Sequence, residues 1–300
     1  KSHEGRPIKV EGNREHPDSN GATDTFTQAS ILNLYDPDRA IRFTKDGETT
    51  SRESALNFLG DLAQKAQASR GDGLAFLMER GVSPSRDRMQ NLLREKLPNA
   101  KWHYYEPVDF DIHRQAASAV FGRSVTPYVR LDQANVIVSL DCDFIGSEDN
   151  THVKIRQFAK GRRTEKPSDS MNRLYSIEGL LTLTGANADH RLRVPTSAVL
   201  SVAARLASEI LRQTGKSDLL PDLQGLAAGF QGNEEWITAC ASDLLESNNL
   251  GRSVVLAGYR QPQAVHIIAA AINAALGNLG KTVVFHETPE PPKTTISELA

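Results

Sequence analysis

The stretch from Val136 to Ser147 reads VIVSLDCDFIGS, and it decides the fold class predicted for this chain. It opens with an apolar run, as expected for a strand covered by helices on both faces. The run ends in two aspartates around a cysteine, which is typical of a strand that reaches the edge of a parallel sheet. On an extended strand, Asp141 and Asp143 would point to one face and Cys142 to the other.

Segments of the same kind alternate with helical patterns along the chain. Strands are predicted at GLAFLME, KWHYYE, NVIVSLDC, NRLYSIEG, HRLRV, SVVLAG and KTVVFHE. The segments between them, such as SAVLSVAARLASEILRQ, have the apolar spacing of helices. Thr50 and Glu53 are predicted to form a capping box, and Ser83 to cap a helix with Pro84 at its first position. This alternation predicts βαβ units, parallel sheets and the α/β class.

Composition and charge bear on two kinds of partner, nucleic acids and membranes. Of 300 residues, 39% are hydrophobic and 24% are charged, with a net charge of −2, as in an ordinary soluble globular protein. The balance gives no indication of a nucleic-acid partner, and the basic run GRRTEK is interpreted as a solvated loop. The longest apolar run, AVHIIAAAINAAL, is well short of the roughly 20 residues that span a bilayer, so no direct membrane span is predicted.

Motifs for chemistry are weak. Cys142 and Cys240 lie far apart in the sequence and match no metal-ligand spacing, so no metal site is predicted. GNLGKT resembles the end of a phosphate-binding loop, but it follows a helix and precedes a strand, which favours a turn. Asp189 and His190 lack a recognisable nucleophile and favour a polar turn entering an edge strand. No catalytic residue is predicted.

The aspartates after the buried strand leave two interpretations open. They could hold a ribose hydroxyl, a metal or a basic partner at the carboxyl edge of the sheet. Alternatively, they cap the next turn and meet water, with Cys142 as a small buried apolar group. The loop GYRQPQ follows the strand SVVLAG and opens a helix, so its position faces the same edge. The residues alone predict a soluble α/β protein with two parallel sheets and no defined reaction.

Several segments together resemble molybdopterin oxidoreductases of the dimethyl-sulfoxide reductase superfamily. KSHEGRPIKVEGNREHPDSNGATDTFTQASILNLYDPDR resembles the segment after that superfamily's iron–sulfur cysteines, and VIVSLDCDFIGS stands at its strand and "GxNP" loop. TGANADHRLRVPTSA stands at its "AD" turn and "PGTD" motif, and NAALGNLGKTVVFHE at a later helix. SLDCDFIGS and LTGANADHRLRVP are more similar to one branch, the large iron–sulfur subunit of alternative complex III, a membrane-associated quinol-oxidising respiratory assembly.

The resemblance implies an architecture. It implies two Rossmann-like parallel-sheet lobes, one inserted in the other, as in domains 1–3 of formate dehydrogenase and dimethyl-sulfoxide reductase. The implied ranges are an N-terminal arm at 1–48, a discontinuous lobe at 49–98 and 219–290, an inserted lobe at 99–218, and a linker at 291–300 to a further C-terminal region. The chain is accordingly interpreted as a fragment.

Departures from the superfamily pattern fall in the cofactor motifs. The guanine-binding acid of "PGTD" falls on Ala198, and the "DPR" acid falls on Glu178 without its arginine. Asp141 and Asp143 replace a loop that approaches an anionic pyrophosphate, where like charge disfavours binding. The crevice positions that the resemblance implies, expected to be vestigial, are Asp141, Asp143, Gly146, Glu178, Asp189 and Gln261.

The resemblance therefore implies a non-catalytic scaffold domain of an iron–sulfur subunit in a respiratory quinol-oxidising electron-transfer complex. Its partners would be other subunits of the complex, on the outer, periplasmic face of a bacterial cytoplasmic membrane, with the export signal outside this chain. Iron–sulfur clusters would lie in the further C-terminal region, and molybdopterin is not expected here. One alternative is an active oxidoreductase fragment that binds bis-molybdopterin guanine dinucleotide. Another is a nucleotide-binding regulatory module.

Overall fold

The computed structural model describes residues 1–16, 19–81, 83–216, 220–230, 232–290 and 292–299. The chain divides into two compact units, which we describe separately. The first comprises Lys1–Gln28 and Phe110–Thr288, and the second Ala29–Asp109 and Pro289–Ala300. Over the described ranges, every helix is too short or too polar to span a membrane.

The strands and helices of the described residues are numbered here in chain order. The strands are β1 (Ser2–His3), β2 (Arg6–Pro7), β3 (Phe43–Lys45), β4 (Glu48–Thr50), β5 (Ala75–Met78), β6 (Lys101–Tyr104), β7 (Val125–Val129), β8 (Val136–Leu140), β9 (Arg173–Glu178), β10 (His190–Arg193), β11 (Ser253–Ala257) and β12 (Val283–Glu287). The helices are α1 (Thr25–Ala29), α2 (Arg52–Ala68), α3 (Pro84–Lys96), α4 (Asp111–Phe121), α5 (Thr151–Arg162), α6 (Leu183–Ala186), α7 (Val199–Gln213), α8 (Leu220–Ala227), α9 (Glu234–Leu245), α10 (Gln263–Ala275) and α11 (Ile296–Leu299).

A four-stranded sheet in the order β10-β9-β8-β11 forms the centre of the first unit. All its neighbours run parallel, which confirms the α/β class and the parallel pairing that the sequence predicts. Every residue of β8 is buried. Val138 belongs to a core cluster with Leu206 of α7, whereas Ile137 belongs to a second cluster with Phe158 of α5. Helices therefore cover both faces of the sheet, as its continuous apolar strands predict.

A second strand pair in the first unit departs from the prediction. The sequence predicts β12, but this strand pairs antiparallel with β7. The apolar pattern did not predict β7 as a strand. Residue Pro127 of β7 stands opposite Phe285 in this register. Proline cannot donate to a strand ladder, and in sheets it is confined to edge positions, where one side of the strand needs no partner. The expectation of parallel sheets alone is therefore corrected.

The second unit contains a βαβ segment. Strands β5 and β6 pair in parallel and are joined through α3. Ser83 caps α3 by accepting a hydrogen bond from the Arg86 N–H, and Pro84 is its first residue, as predicted. Helix α2 is capped by Ser51, whose Oγ lies 3.0 Å from the Ser54 nitrogen. The predicted cap, Thr50, is instead the last residue of β4.

The structure divides the chain at other positions than the resemblance implies. Strand β8 was assigned to the inserted lobe (99–218) and β11 to the discontinuous lobe (219–290), but they are paired neighbours. Strands β5 and β6 likewise pair across the expected boundary at 98, and the arm at 1–48 is split between the two units. The expected junction at Leu219 lies outside the described residues. Strand pairing joins segments distant in sequence, and an apolar run does not specify its partner.

Candidate functional site

The candidate site lies at the carboxyl ends of β8 and β11. Strands β9 and β10 are added on one side of β8, and β11 is added on the other side. The order in which strands join the sheet therefore changes direction between β8 and β11, although the two strands run parallel. In open parallel sheets, ligands bind beyond the strand ends at such a topological switch point. The loops that follow these two strands, 141–150 and 258–262, form the walls of the candidate crevice.

Strand β8 ends sharply at the first of the two aspartates. Asp141 has a φ of 53°, in the left-handed region, so the chain does not remain extended. The Ser139 hydroxyl accepts from the Cys142 N–H at 3.1 Å and donates to the Cys142 carbonyl at 2.8 Å, which closes the turn. The prediction that Asp141 and Asp143 share one face of an extended strand is therefore corrected. Cys142 is buried, as the second interpretation expects.

Asp141 bonds across the crevice to Gln261. The Gln261 amide donates from Nε2 to Asp141 Oδ2 at 2.7 Å, and Gln261 is almost fully buried. Burial raises the pKa of the Asp141 carboxyl above its ordinary value, and the charge of Glu178 acts in the same direction. The bond from Gln261 and the charge of Arg260 oppose this shift without cancelling it. Two of the predicted positions thus meet directly.

Asp143 fastens the loop after β8 to α6. Its Oδ1 accepts from the Thr184 N–H at 3.0 Å, from the Thr184 hydroxyl at 2.9 Å, and from the Gly146 N–H at 3.1 Å. A Cβ atom placed on Gly146 would lie 2.2 Å from Asp143 Oδ2, so the glycine permits the close approach. Asp143 and Gly146 therefore shape the crevice wall, which agrees with the turn-capping interpretation.

Glu178 ends β9 in a buried network. Only 2% of the residue is exposed. Its carboxylate accepts from the Thr182 hydroxyl at 2.6 Å and from Arg191 Nε at 2.6 Å. Gly185 packs against it so closely that an added Cβ would lie 1.7 Å from Glu178 Oε1. The charge of this carboxylate is balanced by Arg191 within the chain.

Asp189 does not join the other predicted positions. It precedes β10 and accepts from the Leu174 N–H at 2.7 Å, at the beginning of β9 and hence at the opposite edge of the sheet. Its carboxylate also accepts from both terminal nitrogens of Arg162. Burial would raise the pKa of Asp189, but Arg162 and the Leu174 N–H outweigh burial and lower it. The structure thus brings together Asp141, Asp143, Gly146, Glu178 and Gln261.

Sequence reasoning missed a buried cluster beside this edge. The Glu148 carboxylate accepts from the Tyr259 N–H at 2.9 Å and lies 3.0 Å from His113 Nε2. The ring of His113 meets that of His266 edge-on, with 5.1 Å between their centroids. Glu148 follows the quoted stretch directly, but nothing in the sequence spacing connects it with residues of α4 and α10. Only tertiary packing brings these side chains together.

The pyrophosphate of a guanine dinucleotide does not fit this edge. Such a group binds backbone N–H donors, and the relevant donors here already bind oxygens of the chain, namely those of Gly146, Thr184, Gly185 and Tyr259. Carboxylates occupy most of these positions and would repel a phosphate. The two loops also touch, because a Cβ on Gly258 would lie 1.9 Å from the Asp141 carbonyl oxygen.

Comparison with known proteins supports the fold alone. No protein-family model matches the sequence, and no curated protein matches it. Among solved structures, the chain is similar to acetylene hydratase from Pelobacter acetylenicus, with a TM-score of 0.55 and 13% sequence identity. The similarity covers 90% of this chain and 40% of that chain, so this chain spans less than half of that protein's length. At this identity, it supports an α/β fold with parallel sheets.

Proposed function

We propose that this chain is a non-catalytic, molybdopterin-oxidoreductase-like domain that serves as a scaffold in a redox complex. The proposal depends on one observation: the backbone N–H donors at the crevice edge already have acceptors within the chain. The backbone donors suited to a phosphate already bind Asp143, Thr182 and Glu148. A crevice whose donors are satisfied by the chain itself has little polar binding energy left for a cofactor.

The finer parts of the proposal rest on the sequence resemblance. These are the arrangement as two Rossmann-like lobes, membership of an iron–sulfur subunit in a quinol-oxidising respiratory complex, and a place on the outer face of a bacterial cytoplasmic membrane. The likeness to acetylene hydratase supports the proposal at the level of fold.

The alternative proposal is an active fragment that binds bis-molybdopterin guanine dinucleotide. It requires that the loops at Asp141 and Gly258 separate and that the carboxylates release their backbone donors. The third proposal is a nucleotide-binding regulatory module, which needs an opening at the same edge. The three proposals therefore differ in the ligand expected in this crevice: none, the molybdopterin cofactor, or a nucleotide.

Elemental analysis of the native protein, isolated from its source with its co-purifying subunits, tests the first two proposals. We expect iron from the partner region, with molybdenum and tungsten far below one atom per chain and no pterin fluorescence after oxidation. Near-stoichiometric molybdenum or tungsten together with pterin would overturn the scaffold proposal. The iron signal serves as the internal control that redox centres survived purification.

Thermal unfolding of the 300-residue chain with guanosine diphosphate or inorganic pyrophosphate tests the third proposal. A ligand that binds only the folded state raises the melting temperature, and the rise grows with the logarithm of its concentration above the dissociation constant. We expect no shift at millimolar concentrations. A concentration-dependent rise that disappears when Gly258 is replaced by alanine would instead support a nucleotide site in the crevice.

A further inference from the structure

We propose that His113, Glu148 and Asp149 bind a first-row divalent metal ion, beside the buried imidazole of His266. The three side chains come from α4 and from the loop before α5, and His266 lies on α10. This site lies beside the crevice, and it is independent of the scaffold proposal. Its role would be to fasten α4 to the loop before α5.

The distances suit a small cation. One donor atom from each of His113, Glu148 and Asp149 lies within 4.8 Å of the other two. His113 Nε2 and Glu148 Oε2 are 3.0 Å apart. Zinc binds nitrogen and oxygen ligands at about 2.0–2.2 Å, so tetrahedral ligands lie roughly 3.4 Å apart. Because the donors lie at most 4.8 Å apart, side-chain shifts of about 1 Å would bring them to that spacing.

His266 supplies a second, independent observation. Only 8% of the residue is exposed, and its Nε2 is buried without a hydrogen-bond partner among the described residues. Its ring lies edge-on against that of His113. A buried polar nitrogen without a partner is uncommon, and it points to a polar ligand beside His113.

Neighbouring groups orient the carboxylates. The Tyr259 N–H binds Glu148 Oε1, which leaves Oε2 directed at His113. The Lys154 ammonium donates to Asp149 Oδ1 at 2.6 Å and to its backbone carbonyl at 2.8 Å. Such outer contacts fix the orientation of metal ligands.

The donor set selects the kind of metal. Imidazole nitrogen with carboxylate oxygen suits zinc and its first-row neighbours, whereas magnesium and calcium prefer oxygen alone. The ligands come from segments that are separate in sequence, so an ion would cross-link α4 to the loop at 148–149. Three protein ligands would leave the fourth position of a tetrahedral zinc ion to water.

Zinc titration of the metal-stripped chain tests the site. By calorimetry, we expect one ion per chain and a raised melting temperature. His113→Gln and Glu148→Gln should each weaken zinc binding at least about 100-fold, since loss of an outer contact alone costs 10–100-fold. His286→Gln is the matched control, because His286 is an exposed histidine outside the cluster and should leave binding unchanged.

A measurement on the unaltered chain covers the case in which a variant fails to fold. X-ray absorption of the zinc-loaded chain should show only nitrogen and oxygen neighbours at about 2.0–2.1 Å, with imidazole scattering. Equal binding by the control and by the His113 and Glu148 variants would overturn the site. So would an absence of saturable binding, or a sulfur neighbour in the absorption spectrum.

Discussion

Gly258 is the residue at which the two loops of the crevice touch. A Cβ placed on it would lie 1.9 Å from the Asp141 carbonyl oxygen and 3.1 Å from the Cys142 Cα. These are backbone atoms, which cannot rotate away as a side-chain end can. The closed crevice therefore depends on the absence of a side chain at this position, and not on a left-handed backbone conformation.

Gly258→Ala should destabilise the protein by roughly 1–3 kcal/mol, because the added methyl group forces the loops apart. Gly225→Ala is the matched control, since no atom beyond its own stretch of α8 lies within 4 Å of its Cβ position. That control should be neutral or stabilising by up to about 1 kcal/mol. Urea unfolding followed by circular dichroism compares them, and equal midpoints would contradict the contact between the loops.

Asp189 shows how a predicted ligand position became a structural residue. Asp189→Asn should lower the free energy of unfolding by about 1–3 kcal/mol at pH 7, since the amide loses the negative charge and one of the two oxygens that accept from Arg162. The folded-state pKa of Asp189 lies below its ordinary value of 3.8, so its contribution is present above that pH. It is lost as the pH falls further through the folded-state pKa.

Urea unfolding between pH 3 and pH 7 checks the Asp189 prediction by comparing the free energies of unfolding of the unaltered chain and of the Asp189→Asn variant. The difference between them should be constant near neutral pH and should disappear only in acid. Asp132→Asn is the control. It removes the ion pair with the largely exposed Lys160, and it should lower the free energy of unfolding by less than about 1 kcal/mol. A gap that widened on acidification would contradict the sign of the shift.

At the scale of elements, α10 covers the side of the edge strand β11 that pairs with no other strand. Strand β11 is the last strand of its sheet. Asn273 of α10 accepts from the Val255 N–H at 3.0 Å and donates to the Val255 carbonyl at 2.8 Å, as a neighbouring strand would. Asn278 donates to the same Asn273 oxygen at 3.0 Å. An edge covered in this way offers no template for another strand.

Asn273→Ala should cost at least about 2 kcal/mol, because it leaves a buried N–H and a buried carbonyl of Val255 without partners. Thermal and urea unfolding measure the loss. Asn187→Ala removes one exposed bond to the Leu183 carbonyl, and it should change stability by no more than about 0.5 kcal/mol. Equal effects of the two variants would refute the edge-covering role.

At the scale of the whole molecule, the two units differ in how much they bury. Both core clusters lie in the first unit. In the second unit, α2 has no buried residue, and α3 buries only Gln90. Phe58, Leu59 and Leu77 are 59%, 57% and 68% exposed. Because apolar burial dominates folding stability, the second unit should open more readily than the first.

Native-state hydrogen exchange checks this difference. Amides of α2 and β5 should exchange at least 100-fold faster than those of β8, which corresponds to about 2.7 kcal/mol or more in opening free energy. Strand β11 is an internal control, because it lies in the first unit and should be protected as β8 is. Uniform protection across both units would show that the chain opens as a single cooperative unit.

The sequence by itself determined the kinds of elements and several of their ends. Continuous apolar strands predicted a sheet covered on both faces, since a strand buried on both sides needs no polar alternation. Ser83 with Pro84 predicted the start of α3, because capping chemistry is local. The cap of α2 moved by one residue, from Thr50 to Ser51, since adjacent hydroxyls satisfy the same local rule.

Only the tertiary structure decided which strands pair and which side chains meet. Pairing of β8 with β11 overrode the expected lobe boundaries, and pairing of β7 with β12 supplied a strand that the pattern did not reveal. It also placed Asp189 at the far edge of the sheet and brought His113 to Glu148, which are distant in sequence. Hydrogen-bond register and side-chain packing act between distant segments, so composition, periodicity and spacing along the chain cannot determine them.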